Sequence, residues 1–342
     1  MDRFPTLQTM KNTLLPPLLL LVAIHQLSAN GFTIKEYGKG NLVITHDSKP
    51  FARYIVDQAN KPYFYPVYGP TGAAMTRNYP MKDVEGERKD HPHHRGINFG
   101  HEGIGGADSW SEKKTWEEIA EKRGGRNEYI KTREAALGRI VHKGYRSLDA
   151  TKDFAKIVQT CEYQTHCGKP VLLETRTMTF RADCNLRTID FDQDLTAAFG
   201  DAPFEDKKDS GLSIRIPTSM DVTSDPGGTI INSEGDRDKA AWSQRARWCD
   251  YHGPVGKEHL GIAILNHPSS YRYPTGWHVR NYGLFTANPF ASKQFDKNAP
   301  DIGFTLHSGK TLKLRHRFVF HKGDEKSAGI ESLWKAYAKE KR

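Results

Sequence analysis

Residues 154–197 read FAKIVQTCEYQTHCGKPVLLETRTMTFRADCNLRTIDFDQDLTA, and this stretch decides the fold. Apolar and polar residues alternate through three runs rich in Val, Ile, Thr and Phe, which the short segments CGKP and ADCN separate. Alternation with a period of two is typical of β-strands, and glycine, proline, aspartate and asparagine mark turns. The stretch therefore predicts a three-stranded antiparallel meander.

The same alternation recurs in eight further runs: NLVITHD, RYIVDQ, PYFYPVYG, GRIVHKGYRSL, LSIRIPTSM, LGIAILNHP, WHVRNYGLFTA and FTLHSGKTLKLRHRFVFH. Helical patterning is confined to Ser109–Arg123 and to the C-terminal run that begins at Lys326. Many strands with little helix between them predict an all-β fold, a large antiparallel β-sandwich with a C-terminal helix. We expect one domain over residues 30–342, with a helical excursion near residues 109–125.

The N-terminus has the features of an export signal. Arg3 and Lys11 precede the apolar run LLPPLLLLVAI, residues 14–24, and the small residues of LSA follow at residues 27–29. This order predicts a signal peptide over residues 1–29 and a mature chain in the periplasm or outside the cell. The apolar run is too short for a stable membrane anchor, so we expect no membrane association after signal removal.

Charge and cysteine content restrict the partners and the cross-links. The 50 basic and 41 acidic residues are mixed along the chain, which argues against a nucleic-acid partner because phosphate binding needs clustered Lys and Arg. Cys167 and Cys184 lie at opposite ends of one predicted strand, so they cannot form a disulfide with each other. Whether Cys249 pairs with another cysteine stays open.

The run HPHHRGINFGHEG, residues 91–103, concentrates four histidines beside an arginine and a glutamate. In an extended chain His91, His93 and Arg95 point to one side, and His94 points to the other, where a structural role is expected. These groups suit proton transfer and the binding of substrate oxygens, or they satisfy backbone groups in a buried turn. His91 and His93 also have the spacing of two ligands of one divalent metal ion.

A second strand repeats the combination of histidine and arginine. In WHVRNYG, residues 277–283, alternation places His278, Arg280 and Tyr282 on one face and Trp277 on the other. The two runs together predict a pocket with a His/Arg wall on each side.

Six segments, in chain order, resemble the exported PmoA-like family of bacterial proteins, which is labelled as methane oxygenases: HPHHRG, FEDKKDSGLSIRI, INSEG, ARWCDYHG, GIAILNHP and PTGWHVRNYGLFTANPF. In the second segment, Asp209 stands where the family pattern has a glutamate. The residues on which the resemblance places weight are His91, His93, His94, Arg95, Asp206, Lys208, Arg215, His278, Arg280 and Asn288.

Carboxylates and aromatic rings extend the candidate site. Glu174 shares a strand face with Arg176, so it forms an ion pair or, if it faces the two histidine runs, acts as a base. Tryptophans flanked by Arg and Asp, such as Trp242 and Trp277, suit the recognition of sugars or serve as packed core residues. The architecture is similar to the galactose-mutarotase-like supersandwich, in which a histidine protonates a ring oxygen and a carboxylate acts as base.

The sequence therefore predicts an exported carbohydrate-active enzyme with acid–base chemistry that is epimerase-like, lyase-like or hydrolytic and acts on a small molecule or glycan. The catalytic candidates are His91, His93, His278, Glu174 and Asp206. The substrate-binding candidates are Arg95, His101, Lys208, Arg215, Trp277, Arg280 and Asn288. The alternatives are a sugar-binding module without catalysis and an oxygenase-like protein with a divalent metal at His91 and His93; no other cofactor is predicted.

Overall fold

The computed structural model describes residue 1 and residues 31–342. Apart from Met1, the predicted signal peptide lies outside the described residues. Among the residues described, no helix combines the length and the hydrophobicity that crossing a membrane requires.

Strands dominate the described chain. In chain order they are β1 (Phe32–Tyr37), β2 (Asn41–His46), β3 (Lys49–Ile55), β4 (Tyr63–Val67), β5 (Ile97–His101), β6 (Arg139–Ala150), β7 (Ala155–Gln164), β8 (Pro170–Ala182), β9 (Leu186–Thr196), β10 (Ala202–Phe204), β11 (Ser210–Arg215), β12 (Thr229–Asn232), β13 (Trp248–Val255), β14 (Glu258–Asn266), β15 (Gly276–Val279), β16 (Leu284–Asn288), β17 (Phe304–Leu306) and β18 (Thr311–Lys322).

Two large antiparallel sheets form the sandwich. The first has eight strands in the order β1-β2-β3-β4-β5-β11-β16-β15, and the second has eight in the order β12-β13-β14-β18-β9-β8-β7-β6. Strands β10 and β17 form a small separate pair. The predicted meander is β7-β8-β9, with Cys161 opposite Glu174 and Glu174 opposite Leu195. The predicted fold class, a large antiparallel β-sandwich, is confirmed.

Alternation in the meander produces the core. Along β7 the residues alternate strictly between buried and half-buried, as the sequence of this strand predicts. The inward residues meet those of the first sheet: the ring of Phe64 lies 5.6 Å from that of Phe180 and 6.5 Å from that of Phe191. Burial of these large apolar rings stabilises the contact between the sheets.

Three α-helices accompany the sheets: α1 (Lys113–Lys122), α2 (Glu128–Ala135) and α3 (Ile330–Tyr337). The predicted C-terminal helix is α3, which packs on the outer face of the second sheet through Ile330 and Tyr337. The predicted helical excursion contains α1. Helix α2 was not predicted, because Ile130 is its one buried residue and its sequence has no apolar stripe.

The four cysteines are free thiols, two of them buried (Cys161 and Cys249) and two exposed (Cys167 and Cys184). Cys249 therefore forms no disulfide in this structure.

The outer face of the first sheet is polar but covered. On β11, Leu212 and Ile214 face the core, whereas Ser213 and Arg215 point the opposite way and are nevertheless buried. The loop over residues 76–95 and the segment 108–116, which includes the start of α1, cover this face; for example, the amide of Arg77 donates to the carbonyl of Arg215. This covered face holds the two histidine motifs.

Candidate active site

The first histidine motif forms a turn before β5. The amide of His94 donates to the carbonyl of His91 at 3.0 Å, and His91 has a φ of +46°. The predicted extended alternation is therefore wrong here. Gly96 ends the turn with a φ of +44°, and a Cβ there would lie 1.9 Å from the carbonyl oxygen of Phe64, so the position requires glycine.

The turn brings three histidine rings together instead of separating them. His91 stacks on His94 with ring centroids 4.9 Å apart and planes within 1°, and His93 lies edge-on to His94 at 4.3 Å. The other face of His91 stacks on Tyr282 at 5.3 Å with planes within 4°. Tyr282 belongs to the second motif, so the structure brings the two histidine motifs into contact. His94, which was expected to point away, is part of the same stack of rings.

Asp90 anchors this stack. Its carboxylate accepts hydrogen bonds from Arg77 at 2.5 Å and Arg215 at 2.7 Å, and its other oxygen lies 3.4 Å from Nδ1 of His91. Burial would raise the pKa of the Asp90 carboxyl, but His91 and the two guanidinium groups hold this pKa below its usual range. Asp90 therefore stays ionised and neutralises part of the charge of the two arginines.

The partners of His93 and His94 show how these rings are held. Nδ1 of His94 lies 3.3 Å from Nη1 of Arg215, which can only donate, so this nitrogen is an acceptor and the proton sits on Nε2. Nδ1 of His93 lies 2.9 Å from the hydroxyl of Thr115. Burial, followed by nearby positive charge, holds the pKa of both rings well below 6.5, so both are neutral near pH 7.

Within residues 31–342, His91 and His93 have no third ligand for a metal ion, because neither belongs to a group of three ligand atoms. Such a group does occur on the second sheet, where Asp250, His252 and Glu325 are buried together. There Asp250 already accepts from His252 and from His321, each at 2.7 Å. These hydrogen bonds occupy both oxygens of the Asp250 carboxylate, so we interpret this group as a structural ion pair.

His278 presents an unprotonated nitrogen. Its Nδ1 lies 2.7 Å from the carbonyl oxygen of Lys208, which can only accept, so Nδ1 carries the proton and Nε2 has a free lone pair. Nε2 makes no hydrogen bond to any described residue and is not fully enclosed. Burial lowers the pKa of His278 to about 4, against the opposing charge of Asp209, whose carboxylate lies 3.9 Å from Nδ1.

A cavity of about 300 Å³ opens at the end of β15 and the turn that follows it. Its lining residues are Lys239, Trp242, Val279, Arg280, Asn281 and Tyr282. His278 directly precedes the lining residue Val279 in the chain but is not itself a lining residue. The guanidinium of Arg280 lies over the rings of Trp242, at 5.4 Å, and Tyr282, at 5.7 Å. Burial raises the pKa of Tyr282; Arg215 and Arg280 oppose this, and the carboxylates of Asp209 and Asp90 add to it.

Glu174 lies in the sandwich interior, away from the histidines. Its carboxylate accepts from Arg176 at 2.6 and 2.9 Å, from Tyr163 at 2.9 Å and from Gln193 at 2.9 Å, and Arg176 donates onward to Tyr54 of the first sheet. The hypothesis that Glu174 faces His91 and His278 is corrected accordingly: its four acceptor positions are used within the core. Glu174 and Arg176 form an ion pair that is fully buried.

Asp206 and Asn288 position the backbone next to His278. Asp206 accepts from four amides in the 292–302 loop and has no side-chain partner among the described residues, so the structure indicates a scaffolding role. Asn288 donates to the carbonyls of Lys207 and Lys208. Lys208 contributes the carbonyl that orients His278, while its side chain is exposed.

Two candidates for substrate binding are otherwise engaged. Arg95 donates to both oxygens of Glu112, at 2.8 to 3.0 Å, and lies over the ring of Tyr63. Trp277 is fully buried in the core and donates from Nε1 to the carbonyl of Ala246. Because these contacts within the fold occupy both side chains, the hypothesis that they hold substrate is corrected.

His101 is also a core residue. It points inward from β5 and packs edge-on against Phe204 and Phe290, and its Nδ1 accepts from the amide of Gly103. Burial, with a smaller contribution from Lys207, lowers the pKa of His101 to about 3. Its placement at the substrate is corrected for this reason.

We expect His101→Asn to flatten the acid side of the stability profile. Neutral His101 stabilises the fold fully above pH 6.5, and this contribution is lost as the pH falls toward 3, because the unfolded chain binds the proton first. Asparagine keeps an acceptor for Gly103 but does not titrate. Between pH 7 and pH 4 the wild type should lose roughly 3 kcal/mol more unfolding free energy than the variant. Urea unfolding across this range measures the difference; parallel profiles would contradict it.

Several residues of the site were not among the predicted ones. Asp90 directly precedes the HPHHRG run, and Arg77 lies in the loop before it, but only the fold shows that both meet Arg215. The sequence identifies Trp242 as an aromatic residue but does not place it at the site. Nothing in the sequence pointed to its neighbour Lys239. The sequence singles out Asp209 only as a departure from the family pattern; in the structure its carboxylate lies 3.9 Å from Nδ1 of His278.

Fold and site together define a large antiparallel β-sandwich whose covered outer face holds two His–Asp pairs and a cavity lined by cationic and aromatic residues. The chain belongs to the family of unknown function DUF6807, which matches residues 41–335. The predicted membership of the PmoA-like family is wrong, because DUF6807 accounts for most of the chain. The label of methane oxygenase, which came with that resemblance, is wrong for the same reason. No curated protein matches the sequence.

Three solved structures show how the chain compares with known folds. Galactose 1-epimerase from Lactobacillus acidophilus NCFM is 9% identical, with a TM-score of 0.37 over 86% of this chain and 98% of that one. A galactose mutarotase-like protein from Lactobacillus casei is 8% identical, with a TM-score of 0.33 over 85% and 100%. A glycoside hydrolase family 97 enzyme from Pseudoalteromonas sp. strain K8 is 9% identical, with a TM-score of 0.32 over 84% and 33%. These neighbours are sugar-processing proteins or resemble one.

Proposed function

We propose that the chain is a carbohydrate-active enzyme in which His278 transfers a proton to and from a sugar oxygen. The observation that carries the proposal is the free Nε2 of neutral His278. The opposite ring nitrogen, Nδ1, donates to the carbonyl of Lys208 and lies 3.9 Å from the carboxylate of Asp209. A histidine in this state accepts a proton from a hydroxyl, and the neighbouring carboxylate stabilises the imidazolium that forms.

The aromatic wall supports a sugar as the substrate. Trp242 and Tyr282 line the cavity, and because His91, Arg215 and Arg280 lie against the ring of Tyr282, Trp242 is the ring on which the apolar face of a pyranose would pack. The hydroxyls of the sugar would then bind polar groups at the edge. Arg280 and Asn281 supply those polar groups in the same lining. A cavity of about 300 Å³ lies at the lower end of the range for small-molecule sites, which suits a single sugar unit.

His91 is the candidate acid: it does not line the cavity itself but stacks on the lining residue Tyr282. Its ring is the most exposed of the stack, with 43% of the side chain accessible, and Nδ1 lies 3.4 Å from the carboxylate of Asp90. Its positive φ is a backbone conformation that folded structures retain where a function requires it. In the proposed cycle His278 takes a proton from one sugar oxygen and His91 gives a proton to another.

The test is a panel of free sugars and glycosides incubated with the purified chain. We expect calorimetry to detect binding of at least one of them, and proton NMR to show its anomeric ratio, configuration or glycosidic bonds changing faster than in buffer. Binding without any such change would contradict catalysis and favour a sugar-binding module. Absence of binding across the panel would contradict both.

We also propose that the chain is exported, which Arg3, Lys11 and the apolar run of residues 14–24 support. Residues 1–29 fused to a reporter that is active only outside the cytoplasm should give an active reporter. A reporter that stays in the cytoplasm would contradict export.

A further inference from the structure

The cavity at the end of β15 has an excess of positive charge. Its lining contains Lys239 and Arg280 but no carboxylate. Within the described residues, no carboxylate oxygen lies within 4.0 Å of a side-chain nitrogen of either residue, whereas the nearby Lys207 pairs with Glu205 at 3.1 Å. The two cations of the lining are thus available to a ligand.

The arginines deeper in the site differ from Arg280 in this respect. Arg77 and Arg215 share the carboxylate of Asp90, so their charge is largely compensated by the protein. Arg280 is half-buried and lies over the rings of Trp242 and Tyr282. Among the described residues its guanidinium has no hydrogen-bond or ion-pair partner, so its N–H groups can donate to a ligand. A planar fork of N–H donors between two rings is well suited to a carboxylate, phosphate or sulfate group.

We propose that the preferred ligand is an acidic saccharide, whose anionic group binds Arg280 and Lys239 while its ring packs on Trp242. This inference rests on the proposed function and specifies its substrate class. A neutral sugar would leave two cations uncompensated in the cavity, whereas an anionic group on the sugar pairs with both. The Coulomb attraction is screened by salt, so the preference should weaken at high ionic strength.

The experiment compares matched sugars by calorimetry at low salt: glucose with glucuronate and glucose 6-phosphate, and galactose with galacturonate. We expect an acidic member to bind at least about 10-fold more tightly than its neutral partner, a ratio typical of one charge-assisted contact. The carboxylate and phosphate arms show which anion the site accepts. Molar salt should reduce the ratio.

Variants assign the preference to the cavity. Arg280→Gln should lower the ratio of acidic to neutral affinity to near one, and Arg280→Lys should keep part of it because the charge remains without the planar fork. Lys326→Gln removes a charge from an exposed position outside the cavity and should leave the ratio unchanged.

The outcomes separate the two proposals. Neutral sugars that bind and are converted as well as acidic ones would overturn the acidic preference and leave the proposed function standing. A preference that persists in Arg280→Gln would overturn the assignment to this cavity. Failure of every sugar to bind would overturn the proposed function and this inference together.

Discussion

His278→Asn is expected to reduce turnover about 10²–10⁴-fold with little change in thermal stability. The amide nitrogen of asparagine can replace Nδ1 as the donor to the carbonyl of Lys208, so the local structure is kept. The variant lacks the Nε2 lone pair, which is the proposed proton acceptor. Steady-state kinetics on the sugar that the panel identifies, together with a melting curve, measure both effects.

Two variants control this result. His259→Asn makes the same chemical change at an exposed histidine of β14 and should leave turnover unchanged. Asp209→Asn removes the charge that stabilises the protonated ring and should lower the rate constant of turnover more than substrate affinity. A His278→Asn protein that retains a third or more of wild-type turnover would exclude this histidine as the proton acceptor.

Glu174→Gln is expected to destabilise the fold by about 3–5 kcal/mol, because it leaves the buried guanidinium of Arg176 without a counter-charge. In the wild type, burial would lower the pKa of Arg176, but the carboxylate of Glu174 outweighs this and holds the pKa well above its usual range. In the variant the guanidinium still keeps its proton, because arginine is not deprotonated in proteins. The melting temperature should fall by roughly 6–12 °C. Chemical denaturation provides the free energy directly.

The double variant Glu174→Gln, Arg176→Met should recover most of the loss, since removal of both charges leaves no uncompensated ion in the core. Glu117→Gln alters an exposed ion pair on α1, 3.6 Å from Lys113, and should change stability by less than about 0.5 kcal/mol. A Glu174→Gln protein as stable as Glu117→Gln would show that the buried pair does not stabilise the sandwich.

The sequence predicted the fold where alternation is strict and turns are short. The meander β7-β8-β9 is an example, because its registers follow from local turns and one buried face. The run WHVRNYGLFTA was harder: it forms two strands, β15 and β16, with a tight turn at residues 280–283, and its alternation continues across the turn. Alternation of apolar and polar residues shows which residues share a face of the sheet, but it does not show where the chain reverses direction.

Patterning in the sequence selected residue types for the candidate site but did not predict their geometry. His91 and His278 were chosen from two motifs separated by more than 180 residues, and the fold joins these motifs through Tyr282. Alternation failed at His94 because the motif is a turn with a left-handed residue. Glu174 was a wrong choice of carboxylate, because period-two patterning does not distinguish a strand face toward the core from one toward a pocket.

The most direct test of the central claim is a crystal structure of the chain with a saccharide from the panel bound. The account predicts the sugar ring against Trp242, with one of its oxygens within about 3.2 Å of Nε2 of His278. A saccharide bound elsewhere on the protein, or one whose oxygens stay out of hydrogen-bond reach of this nitrogen, would contradict it.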